Sequence, residues 1–217
     1  MQFVSLGVDV ARFGDDETII YRNYHGHCKI VRNRRGQNLM ATVGDIVQEF
    51  KKIYREHPTY ESKVYVQIDD TGLGGGVTDR LKEVRKEQKL YKMQVIPINA
   101  AEKIETDTAA GKDAAERYNN LTTAMWASMR DLLDNKQIVI EDDEQTIGQL
   151  SSRKYTMASN GKLEIEPKKE MKKRGLDSPD RADALALALS PGKIKKHTGT
   201  APRAGAMQKL SIENDRC

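Results

Sequence analysis

Four carboxylates stand where apolar segments end or a helix begins. Asp9 closes the apolar run of residues 4–9, and Asp69, followed by Asp70, closes the run of residues 64–68. Asp180 and Asp183 lie three apart in Ser178-Pro179-Asp180-Arg181-Ala182-Asp183-Ala184-Leu185, a spacing that puts both on one face of a helix. Carboxylates brought together repel one another unless a cation lies between them. Hard divalent ions such as Mg²⁺ are bound by carboxylate oxygens. Two such ions roughly 4 Å apart can activate a water, stabilise a leaving oxygen and neutralise phosphate charge. The chemistry these residues suit is therefore metal-assisted phosphodiester hydrolysis with water as the nucleophile. None of the four histidines stands in a recognisable motif.

Each acid also has a plainer explanation. Asp9 could begin a turn, although Gly7-Val8-Asp9-Val10-Ala11 surrounds it with apolar residues. Asp69 and Asp70 compete for one role, because strand alternation sends their side chains to opposite faces. Asp180 could complement a helix N-terminus, with Ser178 as N-cap and Pro179 at the first helical position. Asp183 lies deeper in the helix, among alanines and Leu185, and is harder to explain in that way. Asp15, Asp16 and Glu17 read as turn positions. Gly72-Leu73-Gly74-Gly75-Gly76 reads as a glycine-rich turn, and no Gly-Lys-Ser/Thr follows it, so it is not a nucleotide P-loop.

The elements that must position these residues can be read from periodicity. Residues 4–9 and 18–24 are strands, and residues 29–32 form a third after the turn at His25-Gly26, giving an antiparallel meander. An amphipathic helix is expected over residues 40–55. Residues 64–68 form a fourth strand, and a helix carrying Val77, Leu81 and Val84 follows. A fifth strand, 93–98, stops near Pro97. Residues 100–112 read as a mobile loop. One long helix is expected over 114–133, with Tyr118, Leu121, Met125, Met129 and Leu132 as its buried stripe. Residues 138–140 form a short strand. Two short strands flank the hairpin turn Asn160-Gly161, and a last helix starts near Pro179. The order β-β-β-α-β-α-β-α fits an RNase H-like α/β fold: a mixed sheet with three antiparallel strands plus parallel strands, flanked by helices, with an added hairpin. Strands one and four should then be neighbours ending at the same sheet edge. Residues 1–191 form one domain, and 192–217 form a flexible basic tail.

Composition agrees with a single domain of 217 residues. Charged residues make up 31% of the chain, and the formal net charge of +4 suggests nucleic acid only weakly. No apolar run approaches the roughly 20 residues that cross a bilayer, and the N-terminus does not read as a signal peptide. Cys28 and Cys217 give neither a disulfide framework nor a zinc signature, which makes a reducing compartment the default. Lys168, Lys169, Lys172, Lys173 and Arg174 form a basic run just before Asp180, where backbone phosphates could approach.

Three stretches resemble motifs of the nuclease domain of the phage (tailed double-stranded DNA virus) terminase large subunit. They are Gly7-Val8-Asp9-Val10-Ala11 with Gly14-Asp15-Asp16-Glu17-Thr18, then Ile68-Asp69-Asp70-Thr71-Gly72-Leu73-Gly74-Gly75-Gly76-Val77, and Ser178 to Leu185. Arg117-Tyr118-Asn119-Asn120 and Glu166-Pro167-Lys168-Lys169 are also similar, and the resemblance spans roughly residues 4–190. The resemblance implies an RNase H-like endonuclease that cuts concatemeric viral DNA with two ions, Mg²⁺ or Mn²⁺. Carried over by motif, Asp9, Asp69 and Asp183 match the metal-binding triad, and Asp180 matches a fourth position. Asp69 fits its motif better than Asp70. Asp9 would bridge the two ions, Asp69 would hold one, and Asp183 would hold the other with help from Asp180. The implied partners are double-stranded DNA, the terminase ATPase domain, the portal and the small terminase subunit, in the host cell cytoplasm. Because the ATPase motor precedes the nuclease in that family and no P-loop stands here, the expectation is an isolated domain. Competing readings are a resolvase or transposase, an actin-like ATPase half, and a non-catalytic DNA-binding packaging module.

Overall fold

The computed structural model describes residues 3–11, 16–99, 102–104 and 109–190. The expected basic tail lies outside them, as do residues 100, 101 and 105–108 of the expected loop; residues 109–112 of that loop are helical instead.

A six-stranded mixed sheet forms the centre. Its strands are β1 (Val4–Asp9), β2 (Thr18–Tyr24), β3 (His27–Arg34), β4 (Val64–Asp69), β5 (Met93–Ile98) and β6 (Val139–Ile140), in the spatial order β5-β4-β1-β2-β3-β6. β1, β2 and β3 pair antiparallel, while β4 joins β1, β5 joins β4 and β6 joins β3 in parallel. Pro97 lies within β5 and does not end it; the proline is tolerated because β5 is an edge strand.

Strand alternation divides the core. Val4, Leu6, Val8, Ile20, Val66 and Ile68 pack with Val43, Ile46 and Phe50 of α1 (Leu39–Glu56) and with Val77 and Leu81 of α2 (Gly74–Glu87). The other face, with Ile19 and Tyr21, packs against α4 (Leu121–Asp134) and α7 (Asp180–Leu189). α7 lies so close to β1 that a Cβ at Gly7 would fall 2.1 Å from the Ala184 carbonyl and 2.3 Å from the Ala188 amide. Ser5 completes this contact by donating its hydroxyl to the Ala188 carbonyl at 2.5 Å.

The expected long helix is two helices, α3 (Ala109–Arg117) and α4. Asn120 interrupts it: its side chain accepts from the Thr123 amide and starts α4 as a new helix. Tyr118, placed at the break, bridges to Leu163. Of the glycine run read as a turn, Gly72 and Leu73 form one and the rest is helix. Gly74, Gly75 and Gly76 form the first turn of α2, and a Cβ at Gly74 would fall 1.6 Å from the Asp69 carbonyl, so this abrupt strand-to-helix turn admits only glycine. Two short helices have weak periodicity and were not expected: α5 (Glu144–Ser152) and α6 (Lys168–Lys173). The expected hairpin is present as β7 (Tyr155–Met157) and β8 (Leu163–Ile165).

Candidate active site

In the parallel pairing of β1 and β4, Val8 lies opposite Ile68, both facing the α1 and α2 side. Asp9 and Asp69 follow them at the same sheet edge and on the opposite face, toward α7. Asp70 goes the other way. One of its carboxylate oxygens is buried without a hydrogen-bond partner among the described residues, beside Gly75 in the first turn of α2. The helix dipole favours a negative charge there. The main chain thus separates the two aspartates the motif left in competition. Asp69 accepts from the Thr71 amide at 3.0 Å, a local turn bond made by one oxygen alone.

The close seat of α7 on β1 brings Asp180 and Asp183 to the same edge. Gln149 of α5 caps this helix, its Oε1 accepting from the Arg181 and Ala182 amides at 2.9 and 3.0 Å. Ser178 is not the N-cap; Pro179 holds that position without a side-chain bond, and the Ser178 hydroxyl donates to Asp180 instead. The second Asp180 oxygen accepts from the Glu17 amide at 2.8 Å, which ties the start of β2 to α7. Arg181 reinforces the tie through Glu17 at 3.1 Å and Asp143 at 2.8 Å.

One cation stands among these acids. The Lys168 ammonium lies 3.0 Å from Asp9 Oδ2, 3.3 Å from Asp180 Oδ1 and 3.1 Å from Asp183 Oδ2. Asp183 Oδ1 in turn accepts from Trp126 Nε1 and from an Arg153 guanidinium nitrogen, both at 2.7 Å. An open cleft of about 320 Å³ leads to the cluster, lined among others by Asp9, Asp16, Leu73, Lys168 and Asp180.

The electrostatics follow from burial and neighbours. Burial pushes the Asp9 carboxyl up to about 7; Lys168 opposes this, and Asp183, Asp180 and Asp69 add to it. Burial would also raise Asp183, but Lys168, Arg153 and the Trp126 N–H outweigh it and hold Asp183 below the usual carboxylate range. Burial disfavours the Lys168 ammonium, yet Asp9, Asp183 and Asp180 keep its pKa well above the ordinary lysine value. The lysine is therefore the resident counter-charge of the cluster.

The donor set fits a hard divalent cation. Carboxylate oxygens from β1 and α7 surround a point already occupied by positive charge, and Asp69 at the end of β4 is near enough to Asp9 to act on its carboxyl. Among the described residues, no three carboxylates stand ready-made at metal-binding distance. The reason is visible in the lengths: ammonium contacts of 3.0–3.3 Å are about 1 Å longer than Mg²⁺–oxygen bonds. Lys168 must yield and the side chains draw in for an ion to be held.

The basic run expected to meet phosphates divides. Lys168 points into the carboxylates. Lys172 pairs with Asp16, Lys173 with Glu170, and Arg174 with Glu166 and the Ser152 carbonyl. Lys169 is exposed. Sequence reasoning missed Trp126 and Arg153 altogether. A buried indole N–H calls for an acceptor, which was a usable signal for Trp126; Arg153 carries none.

No family model and no curated protein matches the chain. Solved structures do. The nuclease domain of the large terminase subunit gp2 of bacterial virus Sf6 superposes with a TM-score of 0.68 at 17% identity, over 87% of this chain and 88% of that one. The large terminase nuclease from thermophilic phage G20c matches with a TM-score of 0.53 at 13% identity, over 88% and 83%. The Thermus phage P74-26 large terminase nuclease domain matches at 0.50 and 14%, over 89% and 82%. A K428A mutant of the Sf6 domain has been solved with manganese and the G20c nuclease with magnesium. The chain shares the RNase H-like fold of these phage terminase nuclease domains.

Proposed function

We propose that the chain is a metal-dependent endonuclease that cuts double-stranded viral DNA during genome packaging, the nuclease part of a terminase large subunit. The carrying observation is the convergence of Asp9, Asp180 and Asp183 on one cationic position, with Asp69 beside Asp9 at the same edge. That a metal is resident in the related nuclease structures supports the same reading.

In this reading Asp9, Asp69, Asp180 and Asp183 hold two divalent cations, Mg²⁺ or Mn²⁺. Bound there, the ions would supply Lewis-acid neutralisation of the phosphate and activation of the attacking water. Asp9 is central, since it faces both Asp69 on β4 and the α7 pair. The oxygens of Asp180 are also engaged by Ser178 and the Glu17 amide, so it helps Asp183 from a fixed position, its Oδ1 facing the cation site. Lys168 keeps the cluster neutral enough to fold and, when displaced, is placed to meet a phosphate oxygen at the cleft. The portal, the small subunit and a preceding ATPase domain are the partners this role would require.

A second reading has one observation in its favour. An ammonium within 3.3 Å of three carboxylates also suits a permanent internal ion cluster, as in a packaging module that has kept the fold without the chemistry. Cleavage of supercoiled plasmid separates them. We expect nicking with Mn²⁺ or Mg²⁺, none with EDTA, and at least a hundredfold loss in Asp9→Asn and Asp183→Asn. A folded protein that binds DNA and cuts under no metal condition would favour the module. Cleavage that survives both substitutions would move the site elsewhere.

A further inference from the structure

Trp126 is the only tryptophan of the chain and is 3% exposed. Its indole nitrogen donates to Asp183 Oδ1. Arg153, also buried, donates to the same oxygen, lies 4.7 Å from the Trp126 ring centroid, and is itself held by a bond from its Nε to the Glu166 carbonyl at 2.8 Å. The other oxygen, Oδ2, faces Lys168 at 3.1 Å.

The two oxygens of one carboxylate are thus divided between two tasks. An aspartate's terminal torsion is broad and two-fold, so an unconstrained Asp183 could offer either oxygen, or both. Two short bonds to Oδ1, from a ring packed in the core and a planar guanidinium lying over it, fix the carboxylate plane. Outer groups of this kind commonly set the orientation, and hence the affinity, of a metal ligand.

We propose that Trp126 and Arg153 are positioning residues for Asp183, reserving its Oδ1 and leaving Oδ2 as the single oxygen it presents to a divalent cation. This rests on the metal-dependent reading above. Neither residue touches the cation or the substrate; both act through Asp183. Because the indole shares that carboxylate, replacement of the Lys168 ammonium by a divalent ion also changes the field at the ring, and the emission of Trp126 reports the exchange.

The test is calorimetric titration with Mn²⁺ of the wild type, Trp126→Phe and Asp183→Asn. Phenylalanine keeps an aromatic ring under Arg153 and removes only the N–H donor. We expect Trp126→Phe to bind Mn²⁺ about 10–100-fold more weakly, to melt in EDTA within a few degrees of wild type, and Asp183→Asn to lose the site. Wild-type affinity in Trp126→Phe, alongside loss in Asp183→Asn, overturns the positioning role and leaves the metal site standing. No Mn²⁺ binding by the wild type removes the metal reading, and this inference with it. Should Trp126→Phe fail to melt cooperatively, wild-type emission decides: a change saturating at the calorimetric Kd supports the arrangement, and unmoved emission during binding overturns it.

Discussion

Asp9 is a buried carboxyl whose pKa is raised to about 7, against roughly 3.9 in an unfolded chain. Protonation therefore favours the fold. The resulting stability is complete below about pH 4 and is lost as pH rises through 7, above which the metal-free protein carries a buried charge. Asp9→Asn removes that charge. Its thermal stability in EDTA should equal wild type near pH 4, exceed it progressively toward pH 7, and then level off at an advantage of about 2–4 kcal/mol. Melting curves across that range check this; an advantage independent of pH would mean that Asp9 is not the titrating group. The same logic gives the cation dependence its sign: a divalent ion favours ionised Asp9, so Mn²⁺ binding should release protons near pH 7 and strengthen as pH rises. Lys168 shows what residue type alone leaves open. Its place in a basic run suggested phosphate, and its first neighbours are carboxylates.

At the scale of elements, the site depends on how α7 is held. Gly7 allows it to lie against β1, and Gln149 caps its first turn. Gly7→Ala would drive a methyl into the Ala184 carbonyl and the Ala188 backbone, neither of which is a flexible side chain. We expect a loss of about 3 kcal/mol or more, seen as a lower melting temperature, with Mn²⁺ binding weakened further because α7 carries two of the carboxylates. Gln149→Ala is gentler. It leaves two helix amides without their acceptor and should cost about 0.5–2 kcal/mol in a denaturant melt. Unchanged stability in Gln149→Ala would show that water replaces the cap. Gly7 stood in a quoted motif without a role to read from it, and a glutamine in a short helix has no motif at all.

For the whole molecule, a sheet whose chain ends gather acids at one edge leaves basic residues to meet the substrate around the cleft. Three of the five cations of the basic run, Lys172, Lys173 and Arg174, are already paired with Asp16, Glu170 and Glu166. With a net charge of only +4, few phosphate contacts can be strong. Duplex binding should accordingly be sequence-tolerant and modest. Two or three phosphate contacts predict a roughly 10–40-fold loss in affinity between 50 and 200 mM salt, measurable by fluorescence anisotropy with a labelled duplex in EDTA. A salt-independent affinity would argue against a backbone-reading surface.

Much of this could be read in the chain because it depends on local patterning. Alternating apolar residues define the strands, their order restricts the sheet to few topologies, and acids that end apolar strands stand out for the desolvation they risk. On that basis the gathering of Asp9, Asp69, Asp180 and Asp183 at one sheet edge was legible, and so was the fold shared with the phage nuclease domains. Other features were settled only by packing. That Asp69, and not Asp70, shares a face with Asp9 needed the register of β4 on β1. The break between α3 and α4 needed Asn120 to cap a new helix. The positions of Lys168, Trp126 and Arg153 needed three chain segments, 126, 153–168 and 183, to meet. Hydrophobic period is a property of neighbours in sequence, whereas which donor reaches which carboxylate oxygen is decided by distances across the core, and those exist only once the chain has folded.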